Sequence, residues 1–148
     1  MHYIPAGSQA VIAAINMPNA AAAMEWYKKV FSAKEKMRLT EPDGKVSHGE
    51  IDIHGTVIMI AEENPDYNRS PKTLNGTSVV FVIYVPDADA TIQKAVDAGA
   101  TLIAAASDQF YGDRSGRIED PFGYKWMVST HINKVSAEEM QAMLEQMI

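Results

Sequence analysis

Two groups of residues in this sequence have the types and spacing for chemistry. The first is His48 and Glu50 in "VSHGEIDI". At positions i and i+2 of an extended segment they face the same way. A histidine titrating near neutrality beside a carboxylate can shuttle protons or share a bound ion, and it can equally sit on a plain solvated strand face. The second is the stretch "DQFYGDRSGRIEDPFGYKWMV", residues 108–128, which gathers aromatics, two arginines and four acids around two turn signals. Phe110 and Tyr111 could stack on a flat ligand, and Arg114 could pair a carboxylate or stack as well. The alternative is an ion pair between Asp113 and Arg114 that only holds a loop. His2, His54 and His131 are scattered at termini and turns, and the pattern assigns them no role.

The elements that must position these groups can be read from periodicity. "SQAVIAAINM" is an almost unbroken apolar run and predicts a strand over 8–17. Pro18 and Asn19 open a helix in which Met24, Tyr27, Val30 and Phe31 recur at helical spacing. "KEKMRLT" predicts a strand, "EPDGK" a turn, "VSHGEIDI" an alternating strand with Ile51 and Ile53 on the face opposite His48 and Glu50, and "VIMIA" another strand. Residues 63–76, rich in Pro and Asn, read as a loop or linker.

The pattern then begins again: strand "TSVVFVIYV", helix "PDADATIQKAVDAGA", strands "TLIAAA" and "DRSGRIE", turn "DPFG" and strand "YKWMVSTH". Pro86-Asp87-Ala88 echoes Pro18-Asn19-Ala20 at an offset of 68, the same offset that separates Gly55 from Gly123. The chain therefore reads as an α+β fold of tandem βαβββ modules, about 8–62 and 77–132, followed by a helix over 135–148. Ser136 and Glu139 have capping-box spacing. Met140, Met143, Leu144, Met147 and Ile148 form a stripe expected to pack on its own domain, with docking on a partner or lidding a pocket as alternatives.

Bulk properties narrow the function. A chain of 148 residues, 47% hydrophobic and 22% charged, is long enough for one domain with a real core. A net charge of −6 without a local basic block argues against nucleic acid. No apolar run is long enough to span a membrane, and residues 1–10 carry no secretion-type pattern. The absence of cysteine excludes disulfides, zinc–thiolate sites and a cysteine nucleophile, and fits a cytoplasmic protein.

The segments "AAAMEWYKKVFSAKEKMRL", "DGKVSHGEIDIHGTVIMIAEE", "DQFYGDRSGRIEDPFGYKW" and "STHINKVSAEEM" together resemble the PhnB-like branch of the glyoxalase/bleomycin-resistance/extradiol-dioxygenase superfamily, the vicinal oxygen chelate fold. The resemblance covers roughly residues 8–140. It implies that each module curls a mixed sheet into half a cup, and that two modules, from one chain or two, enclose a small molecule. It also implies metal ligands on the first and last strand of each module. Those positions fall here at Ile12, Met59, Val80 and Met127, all apolar. A divalent ion needs nitrogen, oxygen or thiolate donors at about 2.0–2.3 Å, and a thioether is too soft for zinc, iron or manganese. If Ile12 points inward, strand parity adds Ala14 and Asn16; Met59 brings Val57 and Ala61, Val80 brings Val82 and Tyr84, and Met127 brings Lys125 and Ser129.

The resulting expectation is a metal-free, cofactor-free homodimer. It sequesters a small aromatic or amphipathic ligand as bleomycin-resistance proteins do, at Ile12, His48, Glu50, Met59, Val80, Tyr84, Phe110, Tyr111, Arg114 and Met127. The rivals are a metal-dependent glyoxalase, lyase or dioxygenase using His48 and Glu50, and a non-binding interaction module.

Overall fold

A computed structural model describes residues 2–148. The chain divides into two compact units, one ending at Thr77 and one spanning Ser78–Ile148. Each is a four-stranded mixed sheet wired in the same way.

In the first unit, β1 (Ala14–Met17) is followed by helix α1 (Ala20–Phe31) and then by β2 (Lys34–Thr40), β3 (Val46–Ile53) and β4 (Thr56–Glu62). The strands lie in the order β1-β4-β3-β2, with β1 parallel to β4 and the remaining pairs antiparallel. Helix α1 forms where the sequence places Met24, Tyr27, Val30 and Phe31 on one face, and all four are buried. Asn19 caps it in the left-handed region, its side chain accepting from the Ala22 N–H. The Glu62 carboxylate at the end of β4 accepts from the Asn19 and Ala20 N–H groups, fixing helix to sheet. Ile15, Met17, Ile51, Ile53, Ile58 and Ile60 form the buried side of the sheet. Burial of each contributes about 1.5–3 kcal/mol. His48, Glu50 and Asp52 alternate onto the other face.

The second unit repeats this plan with β5 (Val80–Tyr84), α3 (Ala88–Asp97), β6 (Thr101–Asp108), β7 (Asp113–Glu119) and β8 (Lys125–His131), in the order β5-β8-β7-β6. The internal repeat is therefore structural. Met59 stands opposite Ala14 in the first sheet, and Met127 opposite Val82 in the second, so both pairs keep the offset of 68. Ile83, Ile118, Trp126 and Val128 are buried on the sheet side that carries Ile92 and Ala95 of α3. Gly116 lets α3 approach, since a Cβ there would lie 2.5 Å from Ile92 Cδ1 and 2.8 Å from the Ala104 carbonyl oxygen. Among the described residues no helix is long and apolar enough to cross a membrane.

Four expectations need correction. The first strand is four residues long, not ten, and Ile12 lies before it. The preceding chain does run beside β4: the Ala13 carbonyl accepts from the Met59 N–H at 2.9 Å, and farther back the Gln9 side chain takes over, Nε2 donating to the Val57 carbonyl at 2.7 Å while Oε1 accepts from the Val57 N–H at 3.3 Å. The linker is partly ordered by a short helix α2 (Pro71–Leu74), capped by Ser70 and tied by Glu63, whose carboxylate accepts from Ser70 N and Thr73 Oγ1. Asp113 and Arg114 belong to β7 and not to the connection before it, which is residues 109–112. Finally, α4 (Ala137–Met147) forms with Ser136 as its cap but buries none of its residues. Met143, Leu144, Met147 and Ile148 stay exposed. The chain leading to α4 is held through the Ile132 and Asn133 N–H groups, which both donate to the Gly112 carbonyl.

Candidate functional site

Each sheet has one face closed by its own helix and one open face. On the first, adjacent rows run Ala14–Met59–Glu50–Met37 and His48–Leu39. His48 Nε2 lies 2.8 Å from Glu50 Oε2, and both side chains are half-buried. A pocket of about 280 Å³ opens here, bordered by Ala14, Asn16, His48, Met59, Ala61 and Asn68. The same-face geometry expected for His48 and Glu50 is present, and each already satisfies the other. Ile12 is half-buried in the segment before β1.

The open face of the second sheet is richer. Val80, Val82 and Tyr84 on β5 are 42%, 50% and 57% exposed, an unusual apolar display for a strand. Met127 stands beside Val82 on the neighbouring strand. The Tyr111 hydroxyl contacts the Met127 sulfur at 3.9 Å, and Phe110 packs edge-on against Tyr111 with ring centroids 5.4 Å apart. Tyr111 is thus held over the methionine by its own loop. Arg117 and Lys125 share this face by strand parity.

Polar groups converge at one end of the same face. Asp113 is 5% exposed and accepts two bonds: from the Tyr84 hydroxyl at 2.6 Å and from His131 Nδ1 at 2.9 Å. Tyr84 reaches Asp113 across β8, and Ser129 and Ser115, which lie between them in the ladder, are buried and share a 2.8 Å bond. Burial opposes the charge on Asp113, but the bonds from Tyr84 and His131 and the attraction of His131 outweigh it and hold the carboxyl below its usual range. The same bond, with burial, raises Tyr84 and keeps its hydroxyl protonated.

A pH dependence follows. A carboxylate depressed in the folded state contributes stability that is fully present above its unfolded value, near pH 4, and is lost as pH falls through its folded value. Wild type should therefore lose more stability below about pH 4 than Asp113→Asn does, in urea unfolding curves repeated across pH. Parallel losses in the two proteins would show that Asp113 is not the group responsible.

Arg114 lies on the opposite face. Its guanidinium donates to Asp89 of α3 at 2.6 and 3.1 Å and to Asp108 at 3.0 Å. These bonds, Asp89 first, raise its pKa further above an already high value. The Asp113–Arg114 pair, the alternative to a ligand-binding Arg114, is absent, because adjacent strand residues point to opposite sides. Of the sequence-based candidates in this unit, Val80, Tyr84, Tyr111 and Met127 share the open face, with Phe110 supporting Tyr111. Sequence reasoning missed Asp113 as a buried acceptor, together with Ser115 and His131. The available signal was parity: His131 follows Met127 and Ser129 at two-residue steps.

Two sheets with one wiring, each closed by a helix on one side and open on the other, define a class of protein built from paired βαβββ modules. The chain belongs to the Glyoxalase/Bleomycin resistance protein/Dioxygenase superfamily, whose family model matches residues 9–128. A protein of Mycobacterium bovis described as uncharacterized is 38% identical over 128 residues, covering 84% of each chain. The crystal structure of the Arabidopsis thaliana At5g48480 product is similar with a TM-score of 0.68, at 24% identity over 82% of this chain and 98% of that one. A PhnB protein from Bacillus cereus shares the fold with a TM-score of 0.66, at 14% identity over 82% of this chain and 99% of that one.

The positions at which the resemblance implies metal ligands carry no donor suited to a divalent ion. Met59 and Met127, with Ala14 and Val82 opposite them and Ile12 and Val80 two residues earlier, offer only methyl groups and thioethers. Among the described residues no group of three or more His, Asp or Glu side chains could hold a metal.

Proposed function

We propose that this protein binds a small aromatic or amphipathic molecule on an open sheet face, without a metal, as a sequestering protein does. The observation that carries this reading is the exposed apolar row Val80, Val82 and Tyr84 beside Met127, walled by Tyr111. An apolar floor with a few convergent polar groups is the usual make-up of a small-molecule site. Methionine adapts to ligands of different shape, and a tyrosine fixed by its loop offers stacking area at little entropic cost. In the first unit, His48 borders the pocket with Met59, and Glu50 bonds His48 from the same strand face; both belong to the same reading as polar contacts. A metal-dependent enzyme built on His48 and Glu50 is less favoured, because among the described residues no third His, Asp or Glu joins them in a group that could hold an ion.

Titration calorimetry with a panel of arenes and aromatic acids tests the proposal. Tyr111→Ala should weaken binding by about 1–2 kcal/mol, the scale of an aromatic contact. It should change the melting temperature little, since Tyr111 sits on a connection. A variant that melts early yet binds as wild type does would make this loop structural and remove it from the site.

A further inference from the structure

We propose that His131, oriented by Asp113, accepts the proton of an acidic hydroxyl group, a phenol or enol, on a ligand seated against Tyr84, Tyr111 and Met127. This rests on the binding reading above and names the ligand class. An ionised carboxylate can only accept, so the 2.9 Å contact places the imidazole proton on Nδ1, toward Asp113. In the neutral imidazole Nε2 is then a bare acceptor, and no described residue bonds it. The His131 side chain is 60% exposed while the Asp113 side chain is 6% exposed, so the anion is shielded and the acceptor is open. This is the division of labour in acid–base pairs where a buried carboxylate fixes the tautomer and stabilises the imidazolium that forms.

A purely structural clamp is already supplied by the Tyr84–Asp113 bond, which spans β5 to β7. The histidine adds only a group facing solvent. In the step itself, the ligand's O–H bond breaks, the proton bonds to Nε2, and the electron pair remains on the ligand oxygen. Asp113 acts as a positioning residue.

The test uses para-nitrophenol, whose anion absorbs visibly, and para-nitroanisole, the same ring without the proton. At a pH where the free phenol is mostly protonated, wild-type protein should raise the phenolate band. It should also bind the phenol about tenfold more tightly than the anisole, the scale of a charge-assisted hydrogen bond. His131→Ala, at an exposed side chain, should abolish the band and leave the two probes near equal in affinity. Asp113→Asn should lower the band with His131 still present. Equal binding of both probes to wild type with no phenolate band overturns the inference and leaves the binding reading standing. A band that survives in His131→Ala also overturns it. If neither probe binds and no compound of the arene panel binds, the binding reading falls with it.

Discussion

Asp120→Ala should cost on the order of 3–5 kcal/mol of stability, a large fraction of what a domain of this size has. Asp120 is 2% exposed in the turn between β7 and β8. One carboxylate oxygen accepts from the Phe122 N–H at 2.9 Å and the Tyr124 N–H at 3.0 Å, and the other from the Trp126 indole at 2.9 Å. Alanine would remove three bonds to a carboxylate in a largely buried turn, each worth about 1–3 kcal/mol. Trp126 is also a core residue, packed against Phe81 with ring centroids 4.9 Å apart. Loosening it disturbs the hairpin that carries Met127, Ser129 and His131. Asp120→Asn should cost less, because its amide oxygen still serves the backbone while its NH₂ cannot accept from Trp126. Urea unfolding orders the three proteins as wild type, then Asn, then Ala. An alanine variant within about 1 kcal/mol of wild type would mean the turn is held by other means.

Gly112→Ala should be the second severe change, and Gly44→Ala is its control. Both glycines have positive φ, +97° and +91°. Either substitution incurs the backbone penalty of a left-handed conformation, about 1 kcal/mol. A Cβ at Gly44 would meet nothing within 4 Å. At Gly112 it would overlap the Asn133 carbonyl oxygen and approach Val135 Cγ2 at 3.1 Å. That carbonyl cannot move freely, since the Ile132 and Asn133 N–H groups both bond the Gly112 carbonyl at 2.9 Å. Gly112→Ala should therefore cost about 2–4 kcal/mol, against about 1 for Gly44→Ala. It should also weaken aromatic ligands more than Tyr111→Ala does, because Gly112 sets the direction of both Tyr111 and Asp113. Equal destabilisation by the two substitutions would remove the close approach to Asn133 as a cause.

The parts legible in the sequence are those where one periodicity dominates. β2, β3 and β7 fall over residues 34–40, 46–53 and 113–119 as read, because alternation or turn signals bound them on both sides. The run before Met17 was over-read because an unbroken apolar stretch looks the same whether it joins a ladder or only lies against one, and Gln9 does the joining with its side chain. The stripe on α4 shows which face is apolar, not whether anything stands opposite. His131 escaped notice because its partner lies 18 residues away, brought opposite only by the β7–β8 register. Arg114 lies in the strand as read, but one residue beyond Asp113 it takes the opposite face and bonds Asp89 of α3 instead of a ligand.

Binding of a small molecule on the open face of the second sheet can be observed residue by residue. The direct measurement is a nuclear magnetic resonance titration of labelled protein with para-nitroanisole, following backbone amides and methionine methyl groups. Saturable shifts are expected at Val80, Val82, Tyr84, Tyr111 and the Met127 methyl, with the α3 side, Ile92 and Ile118, unmoved. Shifts centred on Ile92 and Ile118, or none at Met127 under saturating ligand, would contradict it.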